Sequence, residues 1–368
     1  MKYTLRSLII AAFTAAAGQA APFMAIGDGA ELFLTGTLGI RADDNIFTAK
    51  NATSDVIFDI TPGIDLTFGK DQQLQGALTM SVAWSNYSDN SNLNTTLFNG
   101  DFVSKYDDGK LKLGFNAGYH ELNQNTATVR GLTRRDIFSA AGNAEVGISP
   151  ITSVGGGITF NHENYHPTVG YTDSDSLTVP INFYYKWTEK LELSVGYQYR
   201  DYRVDTLGSD SNDHFFNVGA RGEFSPKFTG TFRVGLNQRK LDRGGDENQF
   251  GVDASFNYEI SPKTQLQFGA SNDFGTSPSG DQQKNMTING RVDSKITEEW
   301  SVNAGASWRA IDYGTRTDDF FELTLGTTYV ISQQIRIIGG YTYRNYSSDL
   351  TASEFKNNVF SIAAAFRY

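Results

Sequence analysis

Leu191-Glu192-Leu193-Ser194-Val195-Gly196-Tyr197-Gln198-Tyr199-Arg200 switches between apolar and polar character at every step. Leu191, Leu193, Val195, Tyr197 and Tyr199 fall on one side, and Glu192, Ser194, Gly196, Gln198 and Arg200 on the other. That period of two belongs to an extended strand with one greasy and one wet face. The same split recurs from Phe228 to Asn237, from Ser301 to Arg309 and from Phe321 to Tyr329, and helical spacing fits none of these segments.

Between such segments stand short polar turn signals: Lys70-Asp71, Asp107-Asp108-Gly109, Ser149-Pro150, Thr188-Glu189-Lys190, Ser225-Pro226-Lys227, Ser261-Pro262-Lys263, Thr297-Glu298-Glu299 and Ser332-Gln333-Gln334. They cut the chain into nine units, each with the outline of a β-hairpin around a looser polar loop. Short turns on one side, longer loops on the other and an even strand number predict an all-β fold: a single antiparallel transmembrane up-and-down β-barrel of about 18 strands, with 16 as the alternative count.

A soluble sandwich also has one apolar face per strand, so alternation alone does not choose between the two. The wet face decides for a barrel because it carries small residues and both signs of charge, which a closed hydrated lumen accommodates. Its charged positions are Lys112, Lys186, Glu192, Arg200, Arg221, Glu223, Arg233, Glu259, Arg291, Asp293, Arg309, Glu322, Arg336 and Arg344. Aromatic residues on the greasy face fall near strand ends, among them Trp84, Tyr119, Tyr185, Trp187, Tyr258, Trp308 and Tyr343, as girdles at two membrane interfaces require.

The N-terminus reads as an export signal over residues 1–20, with basic Lys2 and Arg6, an apolar stretch from Leu8 to Ala17, and small Gly18 and Ala20 before the cut. Residues 21–30 are expected as a short periplasmic segment and 31–368 as the barrel. Without Lys2 and Arg6, the 31 basic residues set against 41 acidic ones leave a net charge of −12, which argues against nucleic-acid binding. The chain has no cysteine, which excludes a disulfide scaffold and thiolate chemistry. A mean hydropathy of −0.37 disfavours membrane helices only, because half of every barrel strand is polar.

The final strand places Phe360, Ile362, Ala364, Phe366 and Tyr368 on one face, and its Phe366-Arg367-Tyr368 ending resembles the terminal signature of Gram-negative outer-membrane barrels. The resemblance implies that Phe366 and Tyr368 are read by the barrel assembly machinery. Arg41-Ala42-Asp43-Asp44-Asn45-Ile46-Phe47, behind the first strand, resembles the start of the putative beta-barrel porin 2 family. That family includes barrels found with exopolysaccharide export systems, so polysaccharide export components join lipopolysaccharide and outer-membrane lipid as implied partners.

His162-Glu163-Asn164-Tyr165-His166 spells the zincin pattern, but that chemistry needs both histidines on one helical face. Here the pattern follows a strand-like run and meets Pro167, so it reads as a coincidental loop sequence. The four histidines, His120, His162, His166 and His214, fall at loop ends of strands, where solvated side chains are a better account than a zinc or copper site. No Ser-His-Asp or paired-carboxylate arrangement stands out, so no catalytic residue, metal or cofactor is expected. The acidic loop tips lack the ligand spacing of a calcium loop. Gly155-Gly156-Gly157 is not a phosphate loop and relieves crowding within a strand.

Loops of about a dozen residues remain once two spans of about 10 are taken from each unit. The expectation is therefore that no loop folds far into the lumen and that wall charges set selectivity. Tyr184 is one of few strand aromatics in the polar register, which does not support a sugar-stacking track. The sequence thus points to an outer-membrane pore for passive passage of hydrophilic solutes, or else a non-conducting structural or adhesive barrel whose lumen is closed by its own Arg and Glu side chains and whose loops bind a surface partner.

Overall fold

The computed structural model describes residues 21–27, 29–123, 129, 132–166, 170–206 and 208–368. The export signal, residues 1–20, and Pro167 lie outside the described residues. The strands are β1 (Met24–Ile26), β2 (Ala30–Asp43), β3 (Asp55–Phe68), β4 (Leu74–Tyr87), β5 (Thr95–Asp107), β6 (Leu111–Asn123), β7 (Arg134–Ser149), β8 (Thr152–His166), β9 (Ser174–Lys186) and β10 (Leu191–Val204). They continue with β11 (Ser211–Ser225), β12 (Phe228–Leu241), β13 (Glu247–Ser261), β14 (Thr264–Thr276), β15 (Gln282–Lys295), β16 (Trp300–Asp312), β17 (Thr317–Val330), β18 (Ile335–Ser348) and β19 (Phe355–Arg367). From β2 onward each pairs antiparallel with the next, and β19 returns to β2 from Val359↔Asp43 to Arg367↔Thr35. The wall is a closed barrel of eighteen strands, β2 to β19. The short β1 doubles back on the start of β2, with Ile26 opposite Ala30.

All eight turn signals fall between paired strands, and their side chains explain why. The hydroxyl of Thr188 accepts from the backbone N–H of Lys190 and Leu191, and Thr297 does the same for Glu299 and Trp300. Ser332 repeats the pattern with Gln334 and Ile335, and the Asp108 carboxylate does so with Lys110 and Leu111. A short side-chain acceptor at the first turn position thus satisfies N–H groups that the ladder leaves free. The three Ser-Pro turns add a second device, while Ser149 and Ser261 still accept from the N–H of Ile151 and Lys263. Each carries a register shift just before it, at Gly147/Ser149, Glu223/Ser225 and Glu259/Ser261, since proline has no N–H to give the ladder.

The eighteen barrel strands run from 13 to 16 residues, longer than the expected span, and the loops are correspondingly shorter. Their outward face carries exposed Leu38, Phe58, Val195, Phe250, Ile288 and Ile362. In water such a continuous apolar surface would be an aggregation hazard; in a bilayer it is the required contact with lipid. Tyr185, Trp187, Tyr258, Trp300 and Tyr329 mark the turn end of this belt, and Trp84 and Trp308 lie toward the loop end. Deep burial gathers at the loop end instead, where Ile46 inserts against Ile57 and Tyr87 with Phe47, Leu93 and Leu132 around them.

Candidate functional site: the inward face of the barrel

Strand alternation puts every charged position named from the sequence on the face opposite the exposed apolar residues. Along β10, Leu193 and Val195 are exposed, whereas Ser194 is buried and Arg200 half-buried on the other side. What the sequence does not show is how these charges pair. Arg233 pairs with Asp253, Arg344 with Glu322 at 2.8 Å, and Arg291 with Asp293 at 2.7 Å. Glu223 takes Lys190 from the neighbouring turn at 2.8 Å. Lys112 stands opposite Glu145, and Lys186 opposite Glu192. Arg309 interacts with Glu322, Arg336 lies near Arg367, and Glu259 is exposed opposite Gln265 at the turn end. Arg41 with Asp59 and Arg135 with Glu163 are further inward pairs, at 2.8 and 3.1 Å. Period-two counting from any exposed apolar residue would have found each of them.

Two contacts join strands that are not neighbours in the wall. Arg221 on β11 is bonded at 2.7 Å both to Glu192 on β10 and to Glu145 on β7, four strands away. Its guanidinium also lies 3.4 Å from the ring centre of Tyr184 on β9. Small residues make this possible. A Cβ at Gly155 would come within 3.1 Å of the Tyr184 ring, and one at Gly196 within 2.2 Å of the Asn182 side chain. Gly155 therefore leaves the room that Tyr184 takes up beside the bridge. Tyr184 is capped by arginine, as Phe33 is by Arg367 at 4.0 Å, so neither offers a free stacking face.

The second contact corrects the expectation that nothing folds far into the lumen. Pairing between β13 and β14 ends at Val252↔Asn272, and β14 leaves the wall there. Its end and the start of β15, joined from Thr276↔Gln282, lie across the inner wall of β10 to β12. Arg200 bonds Asp273 at 2.7 Å and the carbonyl of Phe274 at 2.9 Å. Arg239 donates to the Gly275 carbonyl and the Gln282 side chain, each at 2.6 Å. Both arginines share Asp213, and Asn237 donates to Asp273 at 2.6 Å. The tip reaches further: the Thr172 N–H donates to the Pro278 carbonyl at 2.8 Å, and Gln282 donates to the Ser209 carbonyl at 3.0 Å. Strand ends, not a long loop, supply the length.

The Asp43-Asp44-Asn45 stretch seals the barrel seam. Asn357 donates to Asp43 at 2.6 Å, and Asn358 donates through both its N–H and its side-chain amide to Asp44. Asn45, fully buried, donates to the carbonyls of Ala49 and Lys356.

His162 and His166 lie within β8, not in a loop, so the zincin-like pattern is extended. Their ring nitrogens contact Asp175 at 2.8 Å and Asp136 at 2.9 Å. His120 sits inward against Asn99 and Asp101, and His214 meets the Tyr197 hydroxyl on the outward side. Among the described residues no group of three or more His, Cys, Asp or Glu is placed to hold a metal ion.

A closed eighteen-strand wall with an apolar exterior and a charged interior defines an outer-membrane-type β-barrel of porin shape. Residues 193–368, almost all of β10 through β19, match the model of the putative beta-barrel porin 2 family, and the chain resembles that family. The Arg41–Phe47 motif lies outside the matched span. OccAB2 of Acinetobacter baumannii has the same fold at 10% identity and a TM-score of 0.51, over 93% of this chain and 98% of that one. OpdQ of Pseudomonas aeruginosa matches at 10% identity and a TM-score of 0.50, over 93% and 99%. No curated protein shows significant similarity to the sequence. Family match and barrel fold together imply an outer-membrane location.

Proposed function

We propose that the protein is an outer-membrane pore through which small hydrophilic solutes pass passively. The pairing of the inward charges carries this reading. A wall of matched ions, such as Arg41 with Asp59 and Arg344 with Glu322, stays hydrated without a strong net field. A barrel of this strand number leaves room for an aqueous channel. The charged ladder from Lys112 to Arg344 then acts as a weakly selective lining, narrowed at Arg221 and under the β14–β15 hairpin. Export by the N-terminal signal, insertion by the assembly machinery through Phe366 and Tyr368, and contact with lipopolysaccharide belong to the same reading. The resemblance to porin 2 barrels supports a place beside exopolysaccharide export, which copurification with export components tests.

A second reading is favoured by the Arg200–Asp213–Arg239–Asp273 cluster: a barrel closed by its own side chains, serving as a scaffold. Single-channel recording of the refolded chain from Ala21 onward separates the two. Discrete conductance steps support the pore; folded, inserted protein without steps overturns it in favour of the scaffold.

A further inference from the structure

The outward series of β14, Leu266, Phe268, Ala270 and Asn272, continues in sequence to Phe274, which by alternation belongs on the lipid face. In the structure Phe274 is instead buried, 5.0 Å from the Arg239 guanidinium. Opposite it, the loop end of β13 from Glu247 to Gly251 pairs with β12 but has no ladder with β14. Among the described residues, side chains span this interval: Asn272 donates to the Phe250 carbonyl at 2.6 Å, and Lys284 of β15 meets Glu247 at 2.9 Å. An open strand edge is costly wherever lipid reaches it. The alternation of the sequence therefore also fits a second arrangement.

We propose that the hairpin end from Asp273 to Lys284 is a two-position gate. In the tucked position, described above, Arg200 and Arg239 hold it over the loop-end mouth. In the zipped position the β13–β14 ladder runs on, setting Gly251 opposite Asp273, Phe250 opposite Phe274 and Asn248 opposite Thr276. Phe274 then joins Phe250 on the outward face, and the mouth widens. The hairpin tip moves as a unit, because Ser277 and Asp281 bond each other through backbone and side chain. Swinging it back breaks the bonds from Arg200, Arg239, Asn237 and Thr172 and restores ladder bonds along β13. Two packings of similar energy are the condition for such a switch.

The control of flow rests on the pore reading, but the two positions are tested without it. The chain has no cysteine, so a pair can be introduced cleanly. Asn248→Cys with Thr276→Cys closes a disulfide only in the zipped position. Val252→Cys with Asn272→Cys, already opposite each other and of the same ladder class, is the positive control. Adding Arg239→Ala removes charge-assisted bonds that hold the tucked position and should speed closure of the Asn248/Thr276 pair about tenfold. Arg239→Lys serves if the alanine variant does not fold, as judged by heat-modifiable gel mobility. Closure together with larger single-channel steps in the oxidised protein supports the gate. Failure of this pair to close in either background, while the control closes, overturns it. Closure in a protein that never conducts keeps the two positions and overturns the pore reading instead.

Discussion

Asn45, in the first loop, donates its side-chain amide to the carbonyl of Lys356 on the last strand, across the point where the barrel closes. The same amide holds Ala49, so one buried group ties the loop to itself and to β19. Asn45→Ala leaves two carbonyls without a partner and should cost about 3 kcal/mol. The urea midpoint of the refolded barrel checks this, and a midpoint unchanged from wild type refutes the lock.

The seam also shows what the sequence made legible and what it did not. Strand alternation and turn chemistry are local, so Leu191 to Arg200 and the Thr188 turn could be read in isolation. The role of the Asp43-Asp44-Asn45 stretch is not legible in the same way, because its partners, Asn357 and Asn358, are at the other end of the chain. Likewise alternation marks Arg200 and Arg221 as inward charges, but Asp273 and Glu145 reach them from four strands away. Period-two counting fixes a side chain's face and says nothing of which distant strand it meets. The departure of β14 from β13 is hidden for the same reason, since Phe274 keeps the alternation of a regular strand.

Arg221 narrows the lumen by joining Glu145 and Glu192. Arg221→Ala should enlarge the single-channel step and shift selectivity toward cations, because both carboxylates then lose the guanidinium they share and keep only the lysines opposite them, Lys112 and Lys186. Reversal potentials in a salt gradient read the second effect directly. An unchanged reversal potential in a conducting variant would show that these groups do not line the path.

Two glycines in the wall make opposite demands. A Cβ at Gly235 would lie 1.8 Å from the carbonyl oxygen of Phe216 on the adjacent strand, whereas one at Gly36 meets nothing within 4 Å. Gly235→Ala should therefore impair assembly, costing upward of about 3 kcal/mol in any barrel that forms, and Gly36→Ala should be close to neutral. The fraction of heat-modifiable protein after refolding compares them side by side.

The outward and inward faces of β19 differ by one residue in sequence and by solvent in the membrane. Ile362, opposite Ile40, is exposed on the apolar belt, and Ser361 beside it points inward. Ile362→Arg must carry a guanidinium into hydrocarbon and should destabilise the barrel by about 2–4 kcal/mol if it lies near the bilayer midplane. Ser361→Arg adds the same charge to a hydrated wall and should cost well under half as much. Unfolding titrations in lipid vesicles give both values. Equal costs would mean that the exposed apolar belt does not face lipid, and a reversed order would turn the barrel's faces inside out.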